Sequence, residues 1–597
     1  MRRPSHLLPL CLLPLLAAAE SAVRKPVEFS ITADVGFGNE VCVTGGHPLL
    51  GGGDVLRAPK LSWTPGNVWR GTIALEAGTD FSCRYVSRNF AVGSWPSSAN
   101  VTPLAPAFTM TSPAHSPPPW QAKTLLYRTS WSSPHLLYRD ITHDGAWTDA
   151  PMAVEGAGRI PGEQTFSARG LASSGALLEF VFHDGAGHYD NAPAPPAGTA
   201  QGAAPAIPAP YQGLSGPYNY RTPLDVLLVQ DGQVFNYLPP AAVSAPRVEV
   251  RTVASTVPGI PGRPVTLLLP RGYDQNTAKR YPVVLLHDGQ NMFFPGGPFG
   301  TWDADRIAGY ETAQGRMRET ILAAIPNGND YGSNRLSEYL PTGDTLVYSG
   351  TSYSGAGADY ARFLLDNVMP TIDVHYRTLG GAPDTLTAGS SMGGLFADYL
   401  SHRHSDRFGA AGIFSPAYWA APAWIAQRDA SPRLPLRRYL YMGTAESSTG
   451  ESSSQVYWAG ALQAYDVWVR QGHSVQGDLL FEGGAGASHN ESAWSLHLPA
   501  FFSFALDPAR EATPLALTLY PPAIRVTSVG GTPPMARVTY PSLMGVAQEL
   551  ESGGDLTTWN ASPLPAESEL WAERQVELPA DSAPGQPWFG RLKNTSW

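Results

Sequence analysis

Residues 384–400 read DTLTAGSSMGGLFADYL. A short apolar strand runs into Gly389-x-Ser391-x-Gly393, and a helical pattern runs out of it. A sharp strand-to-helix turn needs small residues beside its apex. Glycines at 389 and 393 let the Ser391 hydroxyl stand clear above a sheet. The helix beginning there points its N-terminus at the same spot, which favours a developing negative charge.

Working outward, the apolar runs at 281–289, 319–328, 409–416, 437–446 and 476–484 read as strands buried on both faces. Amphipathic stretches at 358–373, 394–408 and 454–472 read as the helices between them. Strands alternating with helices over 248–507 predict one parallel α/β sheet with helices on both faces. A serine hydroxyl needs a base to take its proton. His489 in EGGAGASHNESAW is the candidate, on the loop after the last buried strand. Glu446, ending RRYLYMGTAE, is the candidate acid, with Asp466 and Glu491 as rivals; His497 reads as a packing residue. The order Ser391, Glu446, His489 is that of α/β-hydrolases. One oxyanion donor would be the backbone N–H of Met392, and the other would come from HDGQN (287–291), from Gln290 or Gly289.

The composition agrees with a multidomain exported protein. The 597 residues allow several domains, and 61 Gly, 56 Pro, 16 Trp and 25 Tyr sit in a chain only 15% charged. That mixture suits β-sandwich modules that bind sugars. The net charge of −10 argues against a nucleic-acid partner. Arg2, Arg3 and the apolar run 7–19, followed by small residues, read as a signal peptide over 1–22, with secretion to an extracellular or periplasmic space. No later stretch reads as a membrane span. Cys42 and Cys83 remain in the mature chain, either as a disulfide or as two buried thiols. No metal ligand set and no cofactor is read from the sequence.

Segments 23–105 and 122–240 alternate short strands with turns and predict two N-terminal β-sandwiches, joined by a Pro/Ser-rich linker at 106–121. Residues 192–213 read as a low-complexity insertion, Trp63 and Trp69 as core, and 508–597 as a small C-terminal β module.

Residues 248–507 resemble the putative-esterase family of α/β-hydrolases, which holds enterochelin-type, feruloyl and acetyl esterases. The matching text is LLLPRGYD, RYPVVLLHDGQNMF, AAIPNGNDYGSNRLSEYLP, LTAGSSMGGLFADYL, GIFSPAYW, LYMGTAES and SHNESAW. The resemblance implies an ester hydrolase worked by Ser391, His489 and Glu446, with Arg335, Glu338 and Trp419 lining the pocket. Segment 23–105 resembles a family 20 starch-binding module through VCVTGGHPLLGGG, LSWTPGNVWRGTIALEAG and SWPSSAN. That implies a stacking Trp95 beside Asn100, with Gly53 where a second Trp is expected. Segment 122–240 resembles a family 25 starch-binding module through HLLYRDITHDGAWTDAPM and LLEFVFHDGAGHYDNAP. That implies stacking by Trp147 and Tyr189, with Asp190 and Asn191 as polar partners.

These resemblances imply starch or another α-glucan as partner and an acylated carbohydrate or phenolic ester as substrate, with no membrane partner. Two other readings stand beside them: a non-catalytic glucan-binding protein on a hydrolase scaffold, and a siderophore esterase.

Overall fold

Eight strands between residues 247 and 488 form the central sheet. They are β1 (Arg247–Val253), β2 (Arg263–Leu269), β3 (Val283–His287), β4 (Ile321–Ile325), β5 (Thr385–Ser390), β6 (Ala410–Phe414), β7 (Arg437–Ala445) and β8 (Leu479–Ser488). The computed structural model describes residues 24–508 apart from breaks, the longest at 90–100, 113–121, 197–217 and 448–453; beyond 508 it describes mainly six strands. The expected signal peptide, Trp95 and Asn100 lie outside the described residues.

The strand order is β1-β2-β4-β3-β5-β6-β7-β8. The pairs from β4 through β8 are parallel, but β1 runs antiparallel to β2, and β2 to β4. The expectation of a wholly parallel sheet is therefore corrected at one edge. Only residues 254–262 join β1 to β2, too few for the crossover that a parallel pair needs. Every residue of β3, β4, β5 and β6 is buried. Alternate side chains of β3 serve opposite layers: Val283 and Leu285 join one apolar cluster, Val284 and Leu286 the other. Helices α1 (Met392–Arg403) and α2 (Ser454–Arg470) cover the sheet.

Residues 24–111 form the first sandwich. In one sheet Val68–Glu76 lies between Arg24–Thr32 and Ser62–Thr64 and pairs with both; the other pairs Asn39–Thr44 with Asp80–Asn89. Strands Val101–Pro103 and Phe108–Thr111 also join Asp80–Asn89. The expected linker thus loses its first residues to the sandwich. Cys42 and Cys83 are free buried thiols, so the disulfide reading is corrected. Cys42 stands opposite Val86, and Cys83 lies an odd three residues from Val86, so the two thiols point to opposite faces of one sheet. Trp69 is buried as expected, but Trp63 is 49% exposed. On its three-residue strand, the inward position belongs to the neighbouring Ser62.

This sandwich is continuous with the core of the α/β domain. Val27, Leu61 and Ile73 belong to the same apolar cluster as Val469, Val475 and Leu479. Val475 donates its N–H to Thr72 at 2.9 Å and accepts from Ala74 at 2.8 Å. Lys60 Nζ meets Asp466 Oδ1 of α2 at 2.6 Å, and Tyr465 donates to the Lys60 carbonyl at 3.1 Å.

The second sandwich stacks the sheet of His135–Asp140, Leu178–His183, Thr148–Pro151, Tyr189–Asp190 and Tyr220–Thr222 on one built around Ala122–Thr129. Its core rings include Tyr127 stacked on Phe182 at 3.7 Å. Arg271 fastens it to the α/β domain, donating to the Val234 carbonyl at 2.6 Å with Phe235 beneath its guanidinium. The C-terminal strands form two three-stranded sheets.

A first module sharing an apolar core with the α/β domain should melt with it. In calorimetry the full chain is expected to show both units in one transition, and a chain beginning at residue 113 to melt on the order of 5–10 °C lower. Separate transitions, with the midpoint of the α/β domain unmoved by the truncation, would refute a shared core.

Candidate active site

Ser391 caps α1 at the end of β5 with φ 57° and ψ −122°, a conformation that L residues rarely adopt. Such backbone costs about 1–3 kcal/mol and persists only where its surroundings fix it. Ser391 donates its N–H to the Phe414 carbonyl and accepts from Ala417 N–H, both at 3.0 Å. The glycines explain themselves sterically. A Cβ on Gly389 would lie 2.8 Å from the Gly393 carbonyl, and one on Gly394 2.6 Å from the Phe414 oxygen. Ser391 is half-buried.

The candidate acid and base meet because of strand register. Ala445 of β7 pairs with Ser488 of β8, so the next residues, Glu446 and His489, leave the sheet side by side. His489 Nδ1 lies 2.5 Å from Glu446 Oε2, and the carboxylate is fully buried. Its other oxygen accepts from Ser415 Oγ at 2.5 Å and from Gly443 N–H at 2.8 Å. Trp494 Nε1 donates to Ser415 Oγ at 2.9 Å. The imidazole sits between Tyr457 of α2 and Trp494, each ring 5.0 Å away. With Nδ1 engaged by Glu446, Nε2 is the nitrogen left for proton exchange.

The rival carboxylates are committed elsewhere. Asp466 binds Lys60 of the first sandwich, and Glu491 accepts from Asn291 Nδ2 at 2.9 Å. Burial raises the Glu491 carboxyl above its ordinary range. His497 packs on Tyr441 at 4.1 Å and meets Glu482 at 3.0 Å.

The loop after β3 carries Gly289 and Gln290 on a short 3-10 turn. A Cβ on Gly289 would stand 2.4 Å from the Ile325 nitrogen, so only glycine lets this turn lie on β4. Gln290 Oε1 accepts from Asn327 N–H at 3.3 Å. The loop is held by Asp288, whose carboxylate takes Arg335 Nε at 2.7 Å, Arg335 Nη2 at 2.6 Å and Asn327 Nδ2 at 2.7 Å. Burial opposes the Asp288 charge, but Arg335 overrides it and holds the carboxyl below its ordinary range. Asp288 Oδ2 would be 3.2 Å from a Cβ on Gly393, which sets this loop against the Ser391 turn. Met392 opens α1, where the first amides have no intrahelical acceptor. Burial drives His287 down to about 3, so this ring is neutral; its Nε2 meets Thr387 Oγ1 at 2.8 Å.

Of the expected pocket residues, Arg335 is the Asp288 clamp. Glu338 is corrected: it is buried and engaged by Arg263 Nη1 at 2.9 Å and Nη2 at 2.6 Å, an internal ion pair with no exposed oxygen to offer a ligand. Trp419 meets Tyr457 edge-on at 6.4 Å, one ring removed from His489. Sequence reasoning missed Ser415, Asp288, Asn327, Tyr457 and Trp494. The first three stand in the quoted runs GIFSP, HDGQN and IPNGND, but nothing in a linear sequence marks their partners.

On the second sandwich, Trp147 and Tyr189 are half-buried over Leu137 and Val181. Asp190 is corrected as a sugar partner, since it points inward and accepts from Tyr127 at 2.8 Å and Tyr220 at 3.2 Å. Burial pushes its carboxyl up. Asn191 is half-buried beside it.

Residues 262–501 match the family model described as "Putative esterase", and residues 24–108 that described as "Starch binding domain". An alpha-amylase of Streptomyces violaceus is 36% identical over 80 residues, 13% of this chain and 14% of that protein, so the chain spans about a seventh of this curated relative. An IroE-like serine hydrolase from Shewanella oneidensis is 20% identical, covering 45% of this chain and 82% of its own, at TM-score 0.36. A ferulic acid esterase from Anaeromyces mucronatus is 21% identical, covering 47% and 95%, at TM-score 0.34. The two family matches thus fall on the two parts of the chain described above: residues 262–501, which carry Ser391, Glu446 and His489, match the esterase model, and residues 24–108, the first sandwich, match the starch-binding model.

Proposed function

We propose that the chain is a secreted serine esterase that removes acyl groups from starch-associated polysaccharide. The observation that carries this reading is the buried Glu446–His489 pair at 2.5 Å, at the same C-terminal end of the parallel strands as Ser391 with its φ of 57°. His489 Nε2 takes the hydroxyl proton as Ser391 Oγ attacks the ester carbonyl. Glu446 keeps Nδ1 protonated and stabilises the imidazolium. The oxyanion is received by Met392 N–H and by an amide of Gly289 or Gln290. The tetrahedral intermediate collapses, the C–O bond to the alcohol breaks, and the proton on His489 goes to the leaving alkoxide. Water then attacks the acyl-Ser391 carbonyl while His489 Nε2 takes its proton; the second intermediate collapses, the bond from the acyl carbon to Ser391 Oγ breaks, His489 returns the proton to Oγ, and the carboxylic acid leaves. The steps need only the ester, water and these side chains.

The two N-terminal sandwiches hold the polysaccharide. Trp147 and Tyr189 offer aromatic faces to a pyranose ring, over an apolar floor of Leu137 and Val181.

Ser391→Ala should lower kcat on a chromogenic acetyl or feruloyl ester by about 10⁴–10⁶-fold with the melting curve preserved. Retained turnover would remove Ser391 from the reaction. Glu446→Gln should lower kcat by about 10³–10⁴-fold, because the amide can present a donor to Nδ1 and favour the wrong tautomer. A change of less than tenfold would mean that His489 is oriented by another group. Trp147→Ala should lose retention on insoluble starch while turnover of a soluble ester stays as it was, measured on the same preparation. Equal retention would leave the second sandwich a spacer.

A further inference from the structure

We propose that the second sandwich carries a transition-metal site of the Zn²⁺ class, formed by His135 Nδ1, Asp149 Oδ1 and His183 Nε2. Asp149 Oδ1 lies 2.9 Å from His135 Nδ1 and 3.3 Å from His183 Nε2, and all three donor atoms fall within 4.8 Å of one another. Tetrahedral zinc with bonds of about 2.0–2.1 Å separates neighbouring ligand atoms by about 3.3 Å. The three donors therefore need to open only slightly to admit an ion. Two imidazoles and a carboxylate with one position left to water suit zinc, copper or nickel better than magnesium or calcium.

The register brings these residues together from three strands. His135 and His183 stand directly opposite one another, and Asp149 stands opposite Leu137, two residues along the same face. His135 and Asp149 are each 34% exposed at the side chain and His183 8%, so an ion has an entry and a buried anchor.

The competing reading is a carboxylate hydrogen-bonded to two imidazoles and nothing more. One contact favours it: Gly185 N–H donates to His183 Nδ1 at 3.2 Å, which places the ring proton on Nε2. Ligation through Nε2 moves that proton to Nδ1, and the amide must then give way. A flip of the Asp184–Gly185 peptide would replace the N–H with the Asp184 carbonyl, an acceptor that fixes the ligating tautomer. Gly185, at φ 74° with nothing within 4 Å of a Cβ position, has the freedom to make that turn.

The metal would do structural work on this face. Asp149 follows Trp147 by two residues, and His183 pairs with Tyr189, its ring 5.7 Å from the tyrosine ring. An ion joining the strand Thr148–Pro151 to its neighbours fixes both aromatic side chains on one surface.

Calorimetric titration of the untagged full chain with zinc chloride, in a buffer that does not bind zinc, tests the proposal. One saturable site is expected, together with a rise in melting temperature. His135→Ala and Asp149→Asn should each weaken uptake by about 100-fold or more and abolish that rise. Cobalt(II) should give tetrahedral absorption bands that both variants lose. His135→Ala leaves the esterase centre untouched, so soluble-ester turnover reports that it is folded. Absence of saturable uptake, or uptake unchanged in His135→Ala and therefore held by others of the 14 histidines, would overturn the site.

Discussion

The Glu446 carboxylate is a fully buried charge, and the site is arranged around the cost of keeping it there. An isolated ionised carboxylate in a protein interior costs far more than a fold can spare, and the group survives only when its lone pairs are taken. Glu446 has three donors, one from each of three chain segments: Ser415 after β6, Gly443 within β7 and His489 after β8. Gly443 donates from three residues back on the same segment, but the Ser415 and His489 contacts exist because β6, β7 and β8 are neighbours in a parallel sheet, with Ala445 against Ser488. A slip of one residue in that register would leave Glu446 facing Ser488 or Asn490 and the buried charge short of a partner. Sheet pairing and site geometry are in this sense one constraint.

The Ser391 turn and the Asp288 loop follow the same logic of local strain fixed by surroundings. Ser391, Ser415 and Asp288 all carry positive φ, and each is pinned by contacts from other parts of the chain. Ser391 is held through Phe414 and Ala417, Ser415 through the Tyr441 carbonyl at 2.8 Å, and Asp288 through Arg335, Asn327 and the Tyr339 hydroxyl. A buried Arg–Asp pair adds little net stability, but its bidentate geometry fixes orientation. Here that orientation governs where the Gly289–Gln290 amides stand relative to the Ser391 turn.

What the sequence made legible was whatever repeats along the chain. The buried strands announced themselves as continuous apolar runs, and the nucleophile turn by Gly389 and Gly393, where a Cβ would stand 2.8 Å from the Gly393 carbonyl and 3.2 Å from Asp288 Oδ2 respectively. What it hid depends on phase or on partners. Trp63 and Ser62, or Tyr189 and Asp190, are neighbours that face opposite sides, and period-two alternation settles which is inside only when the strand's phase is known. Cys42 and Cys83 differ by one step of the same phase. Glu338 looked like a pocket carboxylate because Arg263, its partner 75 positions away, is silent in the sequence.

Helix α2 argues for how binding and chemistry are combined. Tyr457, in its first turn, flanks His489; Tyr465 and Asp466, roughly 12–14 Å further along at 1.5 Å per residue, hold Lys60 of the first sandwich. A module on a flexible tether offers its ligand at an effective concentration set by linker length, with every orientation sampled. A module whose Leu61 and Ile73 share a core with Val469 and Val475 offers one orientation instead. The second sandwich is fixed in its own way, with Arg271 between Val234 and the buried Glu319. On the proposed function, the glucan surface and the ester bond then stand in a relation set by the fold. Acyl groups at one range of positions along a bound chain would be brought to Ser391, and the rest passed over.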